Sequence, residues 1–280
     1  MRGSIAHPWV LTPLADGLSA AQSLRWFEGL LWFPSSLEEA VHTVDIRGSM
    51  TTLPLPGHRP TGLAFRPDGS LLIASSNKRR ILRYDGEVVT TFVDLSDTAP
   101  GPLGDMVVDR AGRTYILCPA TEDGVLVQID RGNNVTISAA GLDDPVGIVV
   151  TLDGRTLIVA ESLGRRLTAF SIAPDGSLSG RRPFAEGLSG PPGGISIDAH
   201  GGIWTATTLA HQFQRVVAGG AVTDRIDMGD RSAIGCTLGG PSGRTLFMLS
   251  TPDCSCSIAA GRNSCRIDTV VVDIPGVPRR

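Results

Sequence analysis

Gly62-Leu63-Ala64-Phe65-Arg66-Pro67-Asp68-Gly69-Ser70-Leu71-Leu72-Ile73-Ala74 is the stretch that decides the fold. Two apolar runs of four residues flank a Pro-Asp-Gly turn. Such runs are too short for a stable helix, and Asp-Gly supplies the positive φ that a tight hairpin needs. A polar break follows, then the alternating run Arg79-Arg80-Ile81-Leu82-Arg83-Tyr84, then Glu87-Val88-Val89-Thr90-Thr91-Phe92-Val93. Four short strands in about 40–45 residues is the unit of a propeller blade.

The unit repeats along the chain. Its turn recurs as Phe27-Glu28-Gly29, Arg110-Ala111-Gly112, Leu152-Asp153-Gly154, Ala199-His200-Gly201 and Pro241-Ser242-Gly243. From Gly29 through Gly69, Gly112, Gly154 and Gly201 to Gly243 the spacings are 40, 43, 42, 47 and 42 residues. Six turns predict an all-β, six-bladed β-propeller with four antiparallel strands per blade, the chain 1–280 forming one domain. The sixth repeat stops at its third strand, Arg266–Asp273, one strand short. The N-terminal run Trp9–Ala15 is expected to supply the missing strand and close the ring, which removes the unpaired edges of an open array.

Composition narrows the function. The chain has 280 residues, 25 of them basic and 28 acidic, for a net charge of −3. That balance excludes an extended nucleic-acid surface, which needs clustered positive charge. No run approaches the roughly 20 apolar residues of a membrane span, and the start lacks the basic-then-apolar layout of a secretory signal. A cytoplasmic protein with no nucleic-acid or membrane partner is expected. Five cysteines, an odd number, argue against a full disulfide framework. Cys118 and Cys236 sit in apolar runs and suit a core. Cys254, Cys256 and Cys265 lie close together without a histidine partner and are expected to be ordinary loop thiols, with a metal or a disulfide as the alternatives.

The blade texts Gly-Asp-Met-Val-Val-Asp (104–109), Thr-Leu-Asp-Gly-Arg-Thr-Leu-Ile-Val-Ala-Glu (151–161), Arg-Arg-Leu-Thr-Ala-Phe (165–170) and Leu-Gly-Gly-Pro-Ser-Gly-Arg-Thr-Leu-Phe (238–247) carry a resemblance over essentially the whole chain. The chain resembles the senescence marker protein, gluconolactonase and luciferin-regenerating enzyme family. That resemblance implies a six-bladed propeller hydrolysing lactones with one divalent cation in its central funnel. It also implies that the ion is held by a glutamate, an asparagine and an aspartate at the starts of innermost strands. Aligning the repeats on their turns puts Gln22, Thr61, Gly104, Val146, Gly193 and Gly235 on the ring facing the channel mouth. The family's glutamate then falls on Gln22, its metal-binding asparagine on Val146, its aspartate on Gly193, and a further asparagine on Gly104. Hard cations take several oxygen ligands, usually with carboxylates, so no metal and no cofactor are expected. Three glycines and a valine predict a wider, less polar funnel suited to a largely apolar small molecule.

The loops after each second strand return to the same face and supply further candidates. Ser76 and Thr208 are expected to bind substrate with the ring residues. Glu161 and His211 are the candidate acid and base. Against these roles stand a structural carboxylate at Glu161, capping its loop or pairing with Arg165, and a plain surface histidine at 211. Asp105 and Asp144 adjoin ring positions, where turn-capping is the commoner use of aspartate. No Gly-x-Ser-x-Gly elbow and no phosphate loop occurs. The sequence thus predicts a metal-independent enzyme acting by positioning and acid/base chemistry: cyclisation, condensation, isomerisation or lactone opening. The alternatives are a cation-dependent lactone hydrolase and a non-catalytic binding or interaction propeller. Oligomeric state is left open.

Overall fold

The computed structural model describes residues 9–252 and 264–277. Six four-stranded antiparallel sheets form six blades. Their innermost strands are Arg25–Phe27, Pro60–Phe65, Met106–Val108, Pro145–Val150, Pro192–Ile197 and Ser232–Gly239, for blades 1 to 6. The second strands are Leu30–Ser35, Leu71–Ser75, Thr114–Cys118, Thr156–Glu161, Ile203–Thr207 and Thr245–Thr251. All six glycines that set the repeat adopt positive φ, between 70° and 84°, as the turn between first and second strands requires.

Period-2 alternation explains how the blades stack. In Thr114–Cys118, Ile116 and Cys118 pack into the layer shared with blade 2, while Tyr115 and Leu117 pack into the layer shared with blade 4. Leu157 and Val159 of blade 4 face blade 3, and Ile158 and Ala160 face blade 5. A second strand buried on both sides is therefore apolar at nearly every position, and Thr114–Cys118 is buried throughout. One such apolar layer fills each of the six blade interfaces, so the core is a ring of layers. The fourth strands face solvent, as the exposed run in Leu178–Ala185 shows.

The N-terminal strand closes the ring as the sequence predicts, at slightly different bounds. Thr12–Leu18 pairs antiparallel with Cys265–Val271, from Thr12 opposite Thr269 to Leu18 opposite Cys265. Trp9 does not join that strand. Its ring meets Trp204 of blade 5 edge-on at 6.4 Å, and its indole N–H donates to Arg225 O at 2.7 Å. Trp9 thus ties blade 5 to the strand that completes blade 6.

Cys118 and Cys236 are buried free thiols, as expected, and burial pushes the Cys118 thiol up to about 11. Cys265 is a correction: it opens a strand and is buried in the layer between blades 6 and 1. Cys254 and Cys256 lie outside the described residues. No helix among the described residues is long and apolar enough to cross a membrane.

Candidate functional site at the channel mouth

Each innermost strand that runs back to the mouth carries a β-bulge there, and the bulge registers fix which residues are equivalent. In blade 4, Pro145 pairs with Glu161 and Gly147 with Ala160, which leaves Val146 unopposed. Blade 2 places Thr61 and Gly62 against Ala74, and blade 5 places Gly193 and Gly194 against Ala206. In blade 6, Ala233 pairs with Ser250 and Gly235 with Leu249, so the bulged residue is Ile234. Gly235 therefore stands one place along from the ring, a correction that turn spacing could not reveal. Bulges shift the side-chain phase by one residue, and only pairing shows where. Gln22 precedes the blade 1 strand, just after the isolated Ala21–Ser35 bridge. The equivalent positions are Gln22, Thr61, Gly104, Val146, Gly193 and Ile234.

Gly193 and Gly104 do not widen the funnel. A Cβ on Gly193 would lie 2.2 Å from the Ile234 carbonyl oxygen and 3.2 Å from Ala206 Cβ. One on Gly62 would lie 2.4 Å from Gly104 O, and one on Gly104 would press on Pro119 at 3.0 Å. The absent side chains are replaced by the backbone of the next blade or by a proline ring. These glycines serve close packing of inner strands, which corrects the expectation of added room.

The channel interior is crossed by an ion pair. Arg25 Nη2 of blade 1 donates to Asp105 Oδ1 of blade 3 at 2.6 Å and to Met106 O at 2.8 Å, and Nη1 reaches Leu24 O at 2.9 Å. Both side chains are buried. Blades 1 and 3 are not neighbours, so this link passes over the inner strand of blade 2. Turn-capping was the sequence expectation for Asp105, and the long-range partner was missed. The available signal was a lone arginine in an innermost strand between Leu24 and Trp26.

Glu161 has the surroundings of a structural carboxylate. It is fully buried and accepts from Arg166 Nη2 at 2.7 Å, Arg166 Nε at 3.0 Å, the Asp143 N–H at 2.8 Å and the Thr168 hydroxyl, with Arg181 Nη2 at 3.3 Å. The arginine partner is Arg166, since Arg165 occupies the left-handed turn position at φ 48°. Burial alone would raise the Glu161 pKa, but the bonds from Arg166, Asp143 and Thr168 outweigh it and hold the carboxyl below its ordinary 4.5. A carboxylate so held is a poor proton carrier near neutral pH. Because the folded pKa is depressed, its stabilisation is fully present above the ordinary value and is lost as pH falls through the folded one. Glu161→Gln is expected to cost about 2–4 kcal/mol at neutral pH. The difference from the natural protein should shrink on acidification, as denaturant melts at a series of pH values would show.

His211 caps the short 3-10 turn Thr208–Ala210 in the left-handed conformation at φ 51°, the place that Glu39, Arg79 and Arg165 hold in other blades. Ser76 and Thr208 open equivalent turns, and their N–H groups donate to Arg59 O and Pro191 O, each at 3.0 Å. These bonds fasten the turns to the entry of the innermost strand and so to the mouth. The blade 6 strand beginning at Ser232 packs against the Thr208–Ala210 turn. Gln22 Nε2, His211 Nδ1 and Ser232 Oγ are shielded from solvent and have no hydrogen-bond partner among the described residues. Buried polar atoms normally are paired, so these three are candidates to meet a ligand. The Thr61 hydroxyl is already engaged, donating to Leu103 O at 2.8 Å. Asp144, immediately before Pro145, is half-buried, and burial pushes its carboxyl up against an opposing bond from Ser162. A carboxyl raised by burial at a mouth is a better proton carrier than Glu161. Sequence alone gave it a turn-capping use because burial is not written in Asp-Asp-Pro.

The donor set does not fit a divalent cation. The equivalent positions offer one amide, one engaged hydroxyl and no carboxylate or imidazole. Among the described residues no three histidine, cysteine, aspartate or glutamate side chains form a group able to hold a metal.

Fold and mouth together define a six-bladed β-propeller whose innermost strands begin around one channel mouth. The SMP-30/gluconolactonase/LRE-like family model matches residues 20–252, and the chain belongs to that family. It is 26% identical over 245 residues to the pentonolactonase XacC of Haloferax volcanii, covering 81% of this chain and 82% of that protein. It is 24% identical over 233 residues to the 6-deoxy-6-sulfogluconolactonase of Pseudomonas putida, covering 80% of each. Among solved structures, the calcium-binding protein regucalcin of Agrobacterium tumefaciens superposes with a TM-score of 0.82 at 21% identity, over 98% of this chain and 97% of that one.

Proposed function

We propose that this chain acts without a metal on a small, largely apolar molecule bearing a carbonyl, bound at the channel mouth. The observation that carries the reading is the set of equivalent ring residues, which keeps the family's architecture and lacks its carboxylate ligands. Val146 and Ile234 supply apolar lining. Gln22 Nε2 is a donor awaiting an acceptor such as a lactone carbonyl. Asp144 and His211, on adjacent blades, are the groups to move protons, and they take over the role first considered for Glu161. Opening of a cyclic ester is the reaction favoured by the two lactonase relatives, both of which align over four-fifths of their length.

The test is turnover of a panel of lactones, from sugar lactones to apolar ones, with and without EDTA. Activity is expected to persist in EDTA, and Asp144→Asn and His211→Ala are each expected to lower kcat about a hundredfold. Loss in EDTA with recovery on adding manganese, calcium or zinc would establish the cation-dependent reading instead. Tight binding without turnover would make the chain a binding propeller.

A thermal measurement is independent of substrate. A resident cation at a hundredfold excess over its Kd stabilises a fold by about 2.7 kcal/mol, worth several degrees in Tm. The Tm here is expected to be the same in EDTA and in millimolar calcium or manganese, and a saturable rise would sink the metal-free reading.

A further inference from the structure

On the face opposite the mouth, the turns between first and second strands of blades 2 and 3, with Arg131 from the turn between the third and fourth strands of blade 3, line an open pocket of about 370 Å³. Three arginines far apart in sequence line it: Arg66, Arg110 and Arg131, with Asp68 as the acidic group among the lining residues. The acid is already engaged. Asp68 Oδ1 accepts from the Ser70 N–H at 3.0 Å and the Ser70 hydroxyl at 2.6 Å, while Oδ2 accepts from Arg83 Nη2 at 3.2 Å and lies 3.7 Å from Arg66 Nε. Arg110 and Arg131 are exposed, and neither side chain has a hydrogen bond or ion pair among the described residues. Counting lining charges, the cavity carries three positive and one negative.

The guanidinium groups come from rigid places. Arg66 lies over the Phe92 ring at 4.9 Å. Arg110 follows Asp109, a buried carboxylate fixed by Arg113 Nε at 2.7 Å and by the N–H groups of Ala111 and Arg113. Arg131 follows Asp130, whose carboxylate closes its turn through the N–H groups of Gly132 and Asn134. Three guanidinium groups lining one pocket create a local positive potential that favours an anion. Guanidinium groups match phosphate oxygens in both charge and geometry.

We propose that this cavity is a second ligand site, separate from the mouth, which takes a small polar molecule through its phosphate monoester group. The net charge of two in excess suits a dianion. The volume, about 370 Å³, sits at the lower end of small-molecule sites and exceeds what a phosphate ion alone would fill, leaving room beside the phosphate for a body of about sugar size. Net protein charge of −3 excludes an extended phosphate-binding surface and is silent about a local cluster assembled from residues 66, 110 and 131.

The experiment is calorimetric titration of the full chain at low ionic strength with glucose 6-phosphate, inorganic phosphate and glucose. Glucose 6-phosphate is expected to bind at one saturable site, at least about tenfold more tightly than inorganic phosphate, with glucose silent. Arg110→Ala and Arg131→Ala are each expected to weaken it by about tenfold or more, as charge-assisted bonds do. Both are exposed and unpaired among the described residues, so their Tm should stay near that of the natural protein. Arg182→Ala, on the outer strand of blade 4, and His211→Ala, at the mouth, should bind unchanged. No saturable binding of glucose 6-phosphate, or unchanged binding by the double variant Arg110→Ala/Arg131→Ala, would overturn the site. Equal affinity for inorganic phosphate would overturn the assignment to a phosphorylated molecule, and loss of binding in His211→Ala would place the ligand at the mouth.

Discussion

Asp105→Ala is expected to lower the unfolding free energy by about 3–5 kcal/mol, the range for removing one partner of a buried ion pair. The Arg25 guanidinium would remain buried between inner strands with only the Leu24 and Met106 carbonyls to meet it. Those carbonyls satisfy hydrogen bonds but do not neutralise the charge. Because the pair joins blades 1 and 3 across the channel, its loss also frees two non-adjacent blades from one another. The double variant Arg25→Met/Asp105→Leu removes both charges and fills part of the space. It is expected to recover most of the loss, within about 1–2 kcal/mol of the natural protein. Equilibrium denaturant titration of the single and double variants makes the measurement. A single variant that loses less than about 1 kcal/mol would show that the pair is solvated and does not pin the channel.

Gly193→Asp should be at least as damaging, at about 4 kcal/mol or more, and should leave little folded protein. The new Cβ would stand 2.2 Å from the Ile234 carbonyl oxygen and 3.2 Å from Ala206 Cβ. The nearer obstacle is backbone in the adjacent blade, so no rotamer relieves it and the two inner strands must separate. Gly193→Ala tests the same contact without a charge and is expected to lose most of that amount. Gln22→Glu, isosteric with the residue it replaces, is expected to stay folded. This contrast matters for the mouth. An aspartate at 193 is what the family resemblance implies for a metal ligand, and the inner-strand spacing here leaves no place for one. Expression as folded, native-stability Gly193→Asp would show that the strands of blades 5 and 6 are further apart than described.

The blade count, the four-strand unit and the closing N-terminal strand were all legible in the chain. Their determinants are local: a turn glycine with its apolar flanks reports its own conformation, and six copies report the architecture. The candidate site was legible only in outline. Gln22, Thr61, Gly104, Val146 and Gly193 occupy equivalent places, but Ile234 stands where Gly235 was expected because one bulge displaces the phase by one residue. Glu161 looked like an acid or base by residue type, and its neighbours on two further strands hold it ionised. Asp144 looked like a turn residue, and its burial makes it the better candidate.

The sequence by itself determined the periodicity, hence the propeller, the family and the absence of the family's carboxylates from the ring. Tertiary structure alone decided what those substitutions mean. Glycine text does not say whether a missing side chain leaves a hole or admits a neighbour, because that depends on the distance to another blade some forty residues away. Ion pairing has the same character. Arg25 meets Asp105, and Arg66 joins Arg110 and Arg131 around one cavity, only because ring closure brings separate repeats together. Turns and strands are set by neighbours in the chain, while charge, room and solvent access are set by neighbours in space.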